Sequence, residues 1–146
     1  MGKNIYFDTN VIIDLFDNAR PYHYHSVEVF QKIFADGNMN VYINTDTLSN
    51  LFYILRSRMK LSFKKSLENM EFIEESFSVV CSQSKEIRDA LSICKEDIFD
   101  DYEDAMQYIC ALKVEATLFI TNNPKDFKNA SIDVVTTKEL SEFWKK

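Results

Sequence analysis

A short, continuously apolar segment lies near the start of the sequence and ends at a carboxylate: Ile5, Tyr6 and Phe7 are followed by Asp8. A strand with one face in water alternates apolar and polar residues, so this run predicts a strand covered on both faces, as in a parallel sheet. Residues 10–17 then change to a helical pattern. Open α/β sheets bind ligands where strands end and helices begin, so Asp8 is a candidate functional residue.

The same alternation continues along the whole sequence. Apolar runs predict strands at residues 3–8, 40–44, 77–81, 117–121 and 132–135. Helical patterns occur at about 10–17, 22–36, 46–58, 62–75, 84–96, 102–115 and 137–144. Strands separated by helices imply right-handed crossovers. We therefore predict a single α/β domain over residues 1–146, with three layers (α/β/α) and a mainly parallel sheet of about five strands.

Composition excludes several classes of protein. Only two glycines occur, Gly2 and Gly37, so neither a P-loop nor a dinucleotide-binding fingerprint can be built. The net charge of −6 argues against non-specific coating of nucleic acid, but it allows a nuclease whose metal ion neutralises its carboxylates locally. The three cysteines are expected to be buried, reduced thiols. No apolar run approaches the roughly 20 residues that span a bilayer, and no signal peptide is recognisable, so we expect a cytoplasmic protein without membrane contact.

A second group of acids opens the sixth predicted helix. Asp101 and Asp104 are three residues apart and share a helical face, and Asp104 begins the stripe directed at the core. A carboxylate at such a position is costly unless it is paired or bound to a metal. Asp101 fits an N-cap equally well, and the sequence leaves that alternative open. Asp14 and Asp17, by contrast, are expected on the solvated side of the first helix, although Asp14 lies close enough to Asp8 to support it indirectly.

The fourth predicted strand ends at Thr121, and Asn123 and Asp126 follow it in a turn. Because the carboxyl ends of parallel strands meet at one edge of a sheet, we expect these residues at the same edge as Asp8. Carboxylates that converge repel one another, and their pKa values rise unless a divalent cation relieves the repulsion. Oxygen ligands select Mg²⁺ or Mn²⁺ rather than zinc, and such ions promote phosphodiester hydrolysis. These features predict a metal-dependent hydrolytic site.

Three motifs together resemble the PIN domain family, and within it the bacterial branch that includes VapC-type toxins. They are Phe7-Asp8-Thr9-Asn10, Asp101-Tyr102-Glu103-Asp104-Ala105 and Thr121-x-Asn123-x-x-Asp126-Phe127. The match covers almost the whole chain, in the family's order and spacing. The resemblance implies a three-layer α/β/α fold and an endoribonuclease that cleaves RNA with Mg²⁺ or Mn²⁺. It also implies a toxin that a small antitoxin protein holds inactive, and a homodimer.

The resemblance further assigns roles to individual residues. The catalytic acids, which are also metal ligands, would be Asp8, Asp104 and Asp126, with Asp101 as a further residue of the metal site. The residues that orient water or ligands would be Asn10, Thr121 and Asn123. One position departs from the family, because Asn50 stands where a glutamate is usual. Asparagine can coordinate through its carbonyl oxygen but adds no negative charge, which puts the metal affinity in question.

A basic stretch follows the third predicted helix in this otherwise acidic chain. It consists of Arg56, Arg58, Lys60, Lys64 and Lys65. These cations are expected to contact RNA phosphates, although they also suit the solvated ends of two helices. The sequence leaves open a catalytically weak PIN-like module that binds nucleic acid or protein, which the asparagine at position 50 motivates. A phosphoacceptor receiver domain is disfavoured, because the third strand lacks a phosphorylatable aspartate.

Overall fold

The computed structural model describes residues 3–145, in which five strands and seven α-helices alternate. In chain order they are β1 (Lys3–Phe7), α1 (Thr9–Phe16), α2 (His23–Asp36), β2 (Met39–Asn44), α3 (Thr45–Ser57), α4 (Phe63–Ser76), β3 (Ser78–Val80), α5 (Ser84–Lys95), α6 (Tyr102–Lys113), β4 (Leu118–Ile120), β5 (Asp133–Val135) and α7 (Thr137–Trp144). A short 3₁₀ turn, Pro124–Phe127, lies between β4 and β5. These bounds agree with the predicted elements to within about two residues.

All strand pairs in the described residues are parallel, and the sheet has the order β3-β2-β1-β4-β5. β1 is therefore the central strand, with Tyr6 level with Tyr42 of β2 on one side and with Phe119 of β4 on the other. The predicted fold class, a three-layer α/β/α arrangement around a parallel sheet of five strands, is confirmed.

The two faces of β1 belong to two separate core clusters, because successive side chains of a strand point to opposite faces. Ile5 and Phe7 pack with residues of α1, α2, α3 and α4 on one face. Tyr6 packs on the other face with residues of α5 and α6, and its ring stacks on Phe119 at 5.5 Å. Both faces of β1 are covered, which explains why its sequence is apolar without alternation.

Helix ends follow the residues that favour them. Gly37 ends α2 with a left-handed backbone (φ 72°), a conformation that glycine adopts without steric cost because it has no Cβ. Two expectations about burial were wrong. Asp14 is buried rather than solvated, because α2 and the loop after β4 cover its side of α1. Cys81 is exposed, because it follows the edge strand β3, and Cys94 is only half-buried, so Cys110 is the one of the three free cysteines that is buried as predicted.

No helix within residues 3–145 combines the length and the apolar character that a membrane span requires.

Candidate active site

The order of strands in the sheet reverses at β1, whose two neighbours, β2 and β4, lead the chain to opposite edges. In open α/β sheets a crevice forms at the carboxyl ends of the strands where the order reverses, and ligands bind there. Asp8 directly follows β1, and Thr121 directly follows β4. The backbone N–H of Asp8 donates to the carbonyl of Ile120 at 2.9 Å, which holds the two strand ends together.

Asp8 is 4% exposed and is held by neutral donors. As the N-cap of α1 it accepts the backbone N–H of Thr9 at 2.8 Å, and its other oxygen accepts the hydroxyl of Thr121 at 2.7 Å. The Thr121 oxygen in turn accepts the backbone N–H of Asn123 at 3.1 Å. The amide of Asn10 lies between the two strand ends, 3.5 Å from Thr121 Oγ1. Asp8 is therefore fixed in position, and within residues 3–145 no cationic side chain forms an ion pair with it.

An open cleft of about 260 Å³ lies in front of Asp8. Its lining residues come from the end of β1, from α1, α3 and α6, and from the loop after β4: Asp8, Thr9, Asn10, Ile13, Asn50, Tyr53, Ile54, Glu103, Asp104 and Asn123. Five of the predicted site residues therefore line the same cleft: Asp8, Asn10, Asn50, Asp104 and Asn123. Thr121 is fully buried behind them and contacts the cleft through Asp8.

The two carboxylates of the cleft that the sequence nominated carry raised pKa values. Burial raises the pKa of Asp8 from 3.8 to about 6, and the negative charges of Asp126 and Asp14 add to the rise, although the bonds from Thr121 and Thr9 oppose it. The pKa of Asp104 rises from 3.8 to about 7, through burial and then through repulsion by Asp8 and further acids. At neutral pH the cleft therefore holds negative charge that a cation would stabilise.

Two nominated acids lie outside the cleft lining. Asp101 is exposed and caps α6, where its side chain accepts the backbone N–H of Asp104 at 3.0 Å. The structure therefore shows Asp101 in the N-cap role, which was the alternative that the sequence left open. Asp126 lies in the 3₁₀ turn after β4 and lines a neighbouring cleft with Asp100 and Lys125. It is still near enough to raise the pKa values of Asp8 and Asp104.

The chemistry of the cleft fits a hard divalent cation that keeps part of its water shell. Within residues 3–145, no three acidic, histidine or cysteine side chains are close enough to hold a metal ion by themselves. Mg²⁺ is commonly bound through one or two carboxylates, with water and substrate phosphate completing its coordination. Asp8 and Asp104 supply two carboxylates, and Asn50 and Asn123 add amide oxygens to the same lining. This donor set consists of oxygen alone, which disfavours zinc.

A buried polar network behind the cleft was not foreseen from the sequence. Asn122 lies between Thr121 and Asn123, and its amide nitrogen donates to Asp14 at 2.6 Å and to Ser26 at 3.1 Å. Its amide oxygen accepts the backbone N–H and the hydroxyl of Thr137, at 3.1 and 2.8 Å. Asp14 also pairs with the guanidinium of Arg20. This network, which we call the Asn122 network, connects the loop of the site to α1, α2 and α7.

A second unforeseen residue, Asn44, ends β2 and caps α3 from a fully buried position. Its side-chain oxygen accepts the backbone N–H of Thr47 at 3.0 Å and the amide of Gln107 at 3.2 Å. Gln107 in turn accepts the hydroxyl of Tyr6 at 2.8 Å. These bonds connect α3, which carries Asn50, to α6, which carries Asp104. A polar residue at the carboxyl end of β2 was the available signal in the sequence.

The basic stretch lies on the surface beyond the cleft, and all five of its side chains are exposed. Arg56 is on α3, two turns after Asn50, and donates to the carbonyl of Leu61 at 2.9 Å. Lys65 lies 3.9 Å from Glu68, a loose contact that leaves it accessible. The cations therefore extend along the chain from the end of α3, the helix that contributes Asn50, Tyr53 and Ile54 to the cleft, into α4.

A family model described as "PIN domain" matches residues 4–125, and the chain belongs to the PIN domain family. The predicted resemblance is confirmed. Among individual proteins, the chain is 29% identical over 144 residues to "Ribonuclease VapC1" from Aquifex aeolicus (strain VF5). That alignment covers 98% of this chain and 96% of the relative.

Solved structures share the fold at low sequence identity. One is a DNA-bound VapBC from Salmonella typhimurium, with a TM-score of 0.68, 19% identity, and coverage of 94% of this chain and 99% of the other. Another is VapBC-1 from nontypeable Haemophilus influenzae, with a TM-score of 0.67, 17% identity, and coverage of 92% and 98%. At these identities the likeness shows the fold.

Proposed function

We propose that this protein is an endoribonuclease that hydrolyses phosphodiester bonds of RNA with Mg²⁺ or Mn²⁺ as cofactor. The observation that carries the proposal is the pair of carboxylates, Asp8 and Asp104, with pKa values raised to about 6 and about 7, in one cleft where the strand order reverses. The relative named as a ribonuclease, aligned over nearly the full length of both chains, supports the same activity.

The residues of the cleft would have two roles, which are to bind the cation and to hold its ligands in position. Asp8 and Asp104 would hold the cation, with oxygens from Asn50 and Asn123. When bound, the cation activates water and neutralises charge that develops on the phosphate. Thr121 fixes the orientation of Asp8 through its 2.7 Å bond, and Asn10 joins the ends of α1 and β4. Asp126 and Asp101 would act from outside the lining, by adding negative charge that favours cation binding.

The basic stretch supplies the complementary surface for the RNA backbone. All five residues of this stretch are exposed, and it begins at Arg56, three residues after the cleft residue Tyr53 on α3, which supports a contact with phosphates on one side of the bond that is cut. The negative charge elsewhere on the chain disfavours contacts outside this surface.

We further propose that the enzyme is a toxin controlled by a small antitoxin protein, since several structures with this fold are complexes of the VapBC type. We propose the cytoplasm as its compartment, because RNA substrates are found there. A homodimer is also proposed, and sedimentation at high micromolar concentration tests it; a monomer alone under those conditions would contradict it.

Cleavage of a single-stranded RNA, with and without a chelator, tests the activity. We expect cleavage with Mn²⁺ or Mg²⁺ and none in excess chelator. The products should have 5′-phosphate ends, because the group that attacks phosphorus is water and not the ribose 2′-hydroxyl. Asp8→Asn and Asp104→Asn should each lower the rate by at least about a hundredfold, as expected when a group that binds a catalytic ion is removed.

Asp133→Asn is the matched control. It makes the same change of charge at an exposed aspartate, at the amino end of β5 and hence at the opposite edge of the sheet. This variant should cleave like the wild type. Activity that survives the chelator, or products with 2′,3′-cyclic phosphate, would contradict the proposed reaction.

One observation favours a second function, a PIN-like module that binds RNA or protein and cleaves weakly. Asn50 lines the cleft where the family usually has a glutamate, so the site has one carboxylate fewer. Under this alternative the wild type binds RNA without measurable cleavage, and Asn50→Glu gains activity. Efficient cleavage by the wild type would eliminate it.

A further inference from the structure

The side chain of Tyr53 is unusual for an aromatic residue of this protein. It is 69% exposed and yet lines the acidic cleft together with Asp8 and Asp104. Among the large apolar side chains that are exposed in residues 3–145, it is the one that belongs to this lining. An exposed aromatic ring beside a cluster of carboxylates requires an explanation.

The ring contributes little to the folded state. Within the described residues it stacks on no other aromatic ring, and its hydroxyl makes no hydrogen bond to another group. By contrast, Phe52, its neighbour in sequence, makes an edge contact with Phe63 at 6.0 Å. A side chain that is two-thirds exposed and lacks such contacts can be replaced at small cost to stability.

The surroundings of Tyr53 combine three kinds of chemistry along one helix. Asn50, Tyr53 and Ile54 are spaced three and four residues apart, so they share a face of α3 in the cleft. Ile13 of α1 lies in the same lining and adds a second apolar side chain near the ring. Arg56 follows one turn later and is exposed. The distance from Asn50 to Arg56 along the helix axis is about 9 Å, within the reach of two successive nucleotides.

This sequence of groups matches single-stranded nucleic acid. Proteins bind such strands by placing bases on exposed aromatic rings and cations on the phosphates between them. A protein segment could also bury part of the ring, but the exposed arginine and lysine side chains that follow the ring in sequence supply the cations that a phosphate backbone needs. The order of the groups therefore favours RNA.

We propose that Tyr53 is a base-stacking platform, on which one nucleobase of single-stranded RNA lies flat beside the phosphate that is cut. The proposal rests on the ribonuclease function above, and it adds a binding subsite for a base to a site otherwise made for a phosphate and a cation. Stacking tolerates all four bases, so the platform selects unpaired RNA over duplex and does not read a sequence.

A fluorescent reporter tests the contact directly. The chain contains one tryptophan, Trp144. In a Trp144→Phe, Asp8→Asn background, which removes that signal and blocks cleavage, Tyr53→Trp places a single tryptophan on the platform. Single-stranded RNA should quench its emission, and an abasic oligomer of equal length and charge should not. Tyr24→Trp, at a position that is 76% exposed on α2, is the matched control and should be quenched by neither.

Kinetics on the active enzyme form a second test. Tyr53→Leu removes the ring and should lose roughly ten- to a hundredfold in kcat/KM, chiefly through KM, and Tyr53→Phe, which keeps the ring, should restore most of that loss. On a substrate that is abasic at each position in turn, wild type should show the same loss at one position. Tyr53→Leu should add no further loss there, because the two changes remove the same contact.

Several results would overturn the proposal. They are equal quenching by the base-bearing and abasic oligomers, a Tyr53→Leu loss that is the same on every substrate, and no loss at all. Weakened binding of a partner protein by Tyr53→Leu, with RNA cleavage unchanged, would reassign the ring to a protein contact. Failure of the proposed ribonuclease function is a distinct result, since it appears as absent metal-dependent cleavage by the wild type, while the quenching experiment still reports whether a base contacts position 53.

Discussion

Asp8 and Asp14 lie six residues apart, are 4% and 2% exposed, and have opposite electrostatic surroundings. Asp14 pairs with the guanidinium of Arg20 and accepts the amide of Asn122. Asp8 accepts one backbone N–H and one hydroxyl, and has other carboxylates near it. A buried charge that is matched within the chain holds the structure together, whereas one that is unmatched needs a ligand from outside.

The largest expected effect breaks the matched region. Asn122→Ala removes the partner that joins Asp14, Ser26 and Thr137, and it leaves buried polar groups without hydrogen bonds. We expect the free energy of unfolding to fall by roughly 3 kcal/mol, measured by urea denaturation. Asn129→Ala, which removes one exposed bond to the carbonyl of Ile98, is the control and should cost less than about 0.5 kcal/mol. Similar losses for the two variants would mean that the Asn122 network does not stabilise the fold.

The unmatched region should respond to pH. The pKa of Asp8 is about 6 in the folded protein and 3.8 in the unfolded chain, so between these values the folded state keeps a proton that the unfolded state has lost. The contribution of Asp8 to stability is thus full below pH 4 and is lost as pH rises through 6, by roughly 3 kcal/mol in all. Without metal, Asp8→Asn should equal wild type near pH 4 and be the more stable protein above pH 7.

Urea denaturation of the two proteins across this pH range, in excess chelator, measures the difference. Part of the rise in the pKa of Asp104, to about 7, comes from the charge of Asp8, so Asp8→Asn also lowers that pKa and this adds to the stability that the variant gains at high pH. If wild type is more stable than Asp8→Asn at pH 7.5 without metal, the inference that the buried charge of Asp8 destabilises the metal-free protein is wrong. Asp14→Asn should be less stable than wild type at pH 7.5, because it removes the charge to which Arg20 is paired.

Adding metal should reduce the contrast between the two regions. At ten times its dissociation constant, Mn²⁺ should raise the free energy of unfolding of wild type by about 1.4 kcal/mol, since it binds the folded state alone. Asp8→Asn should gain much less, and Asp133→Asn should gain as much as wild type. Thermal melts over a range of Mn²⁺ concentrations measure this effect. Equal gains in stability for wild type and Asp8→Asn would show that the metal does not bind in this cleft.

The last expected effect, about as large as that of added metal, concerns Asn50. Asn50→Glu adds a charged oxygen to the cleft and should tighten Mn²⁺ binding by about tenfold in calorimetry, which corresponds to about 1.4 kcal/mol. The gain should vanish when Asp8 is also replaced, because ligands of one ion are not additive. Unchanged affinity would show that position 50 does not contact the ion.

The sequence predicted the helices and strands and the role of Asp8 as a candidate site residue, but it did not predict the buried partners of Asp14. The apolar run at β1 and the acid that follows it are local signals, and they located Asp8 and the edge of the sheet where Asp104 and Asn123 meet it. The matched region was not predictable in this way. Asp14 and Asn122 are 108 residues apart, and their contact depends on which strand neighbours β1. Asn44 and Gln107 are 63 residues apart and were missed for the same reason.

The hydrogen bond between Asp8 and Thr121 joins residues that are 113 positions apart, and it has a consequence for synthesis. A ribosome that has released the first hundred residues has made the central strand, but not the strand that completes its far side. Asp8 at that stage has neither Thr121 nor the crevice between the two strand ends. A chain interrupted there would contain Asp8, Asn10 and Asn50 but neither Asp104 nor Thr121, so the proposed activity could arise only after the residues through Asn123 have been made.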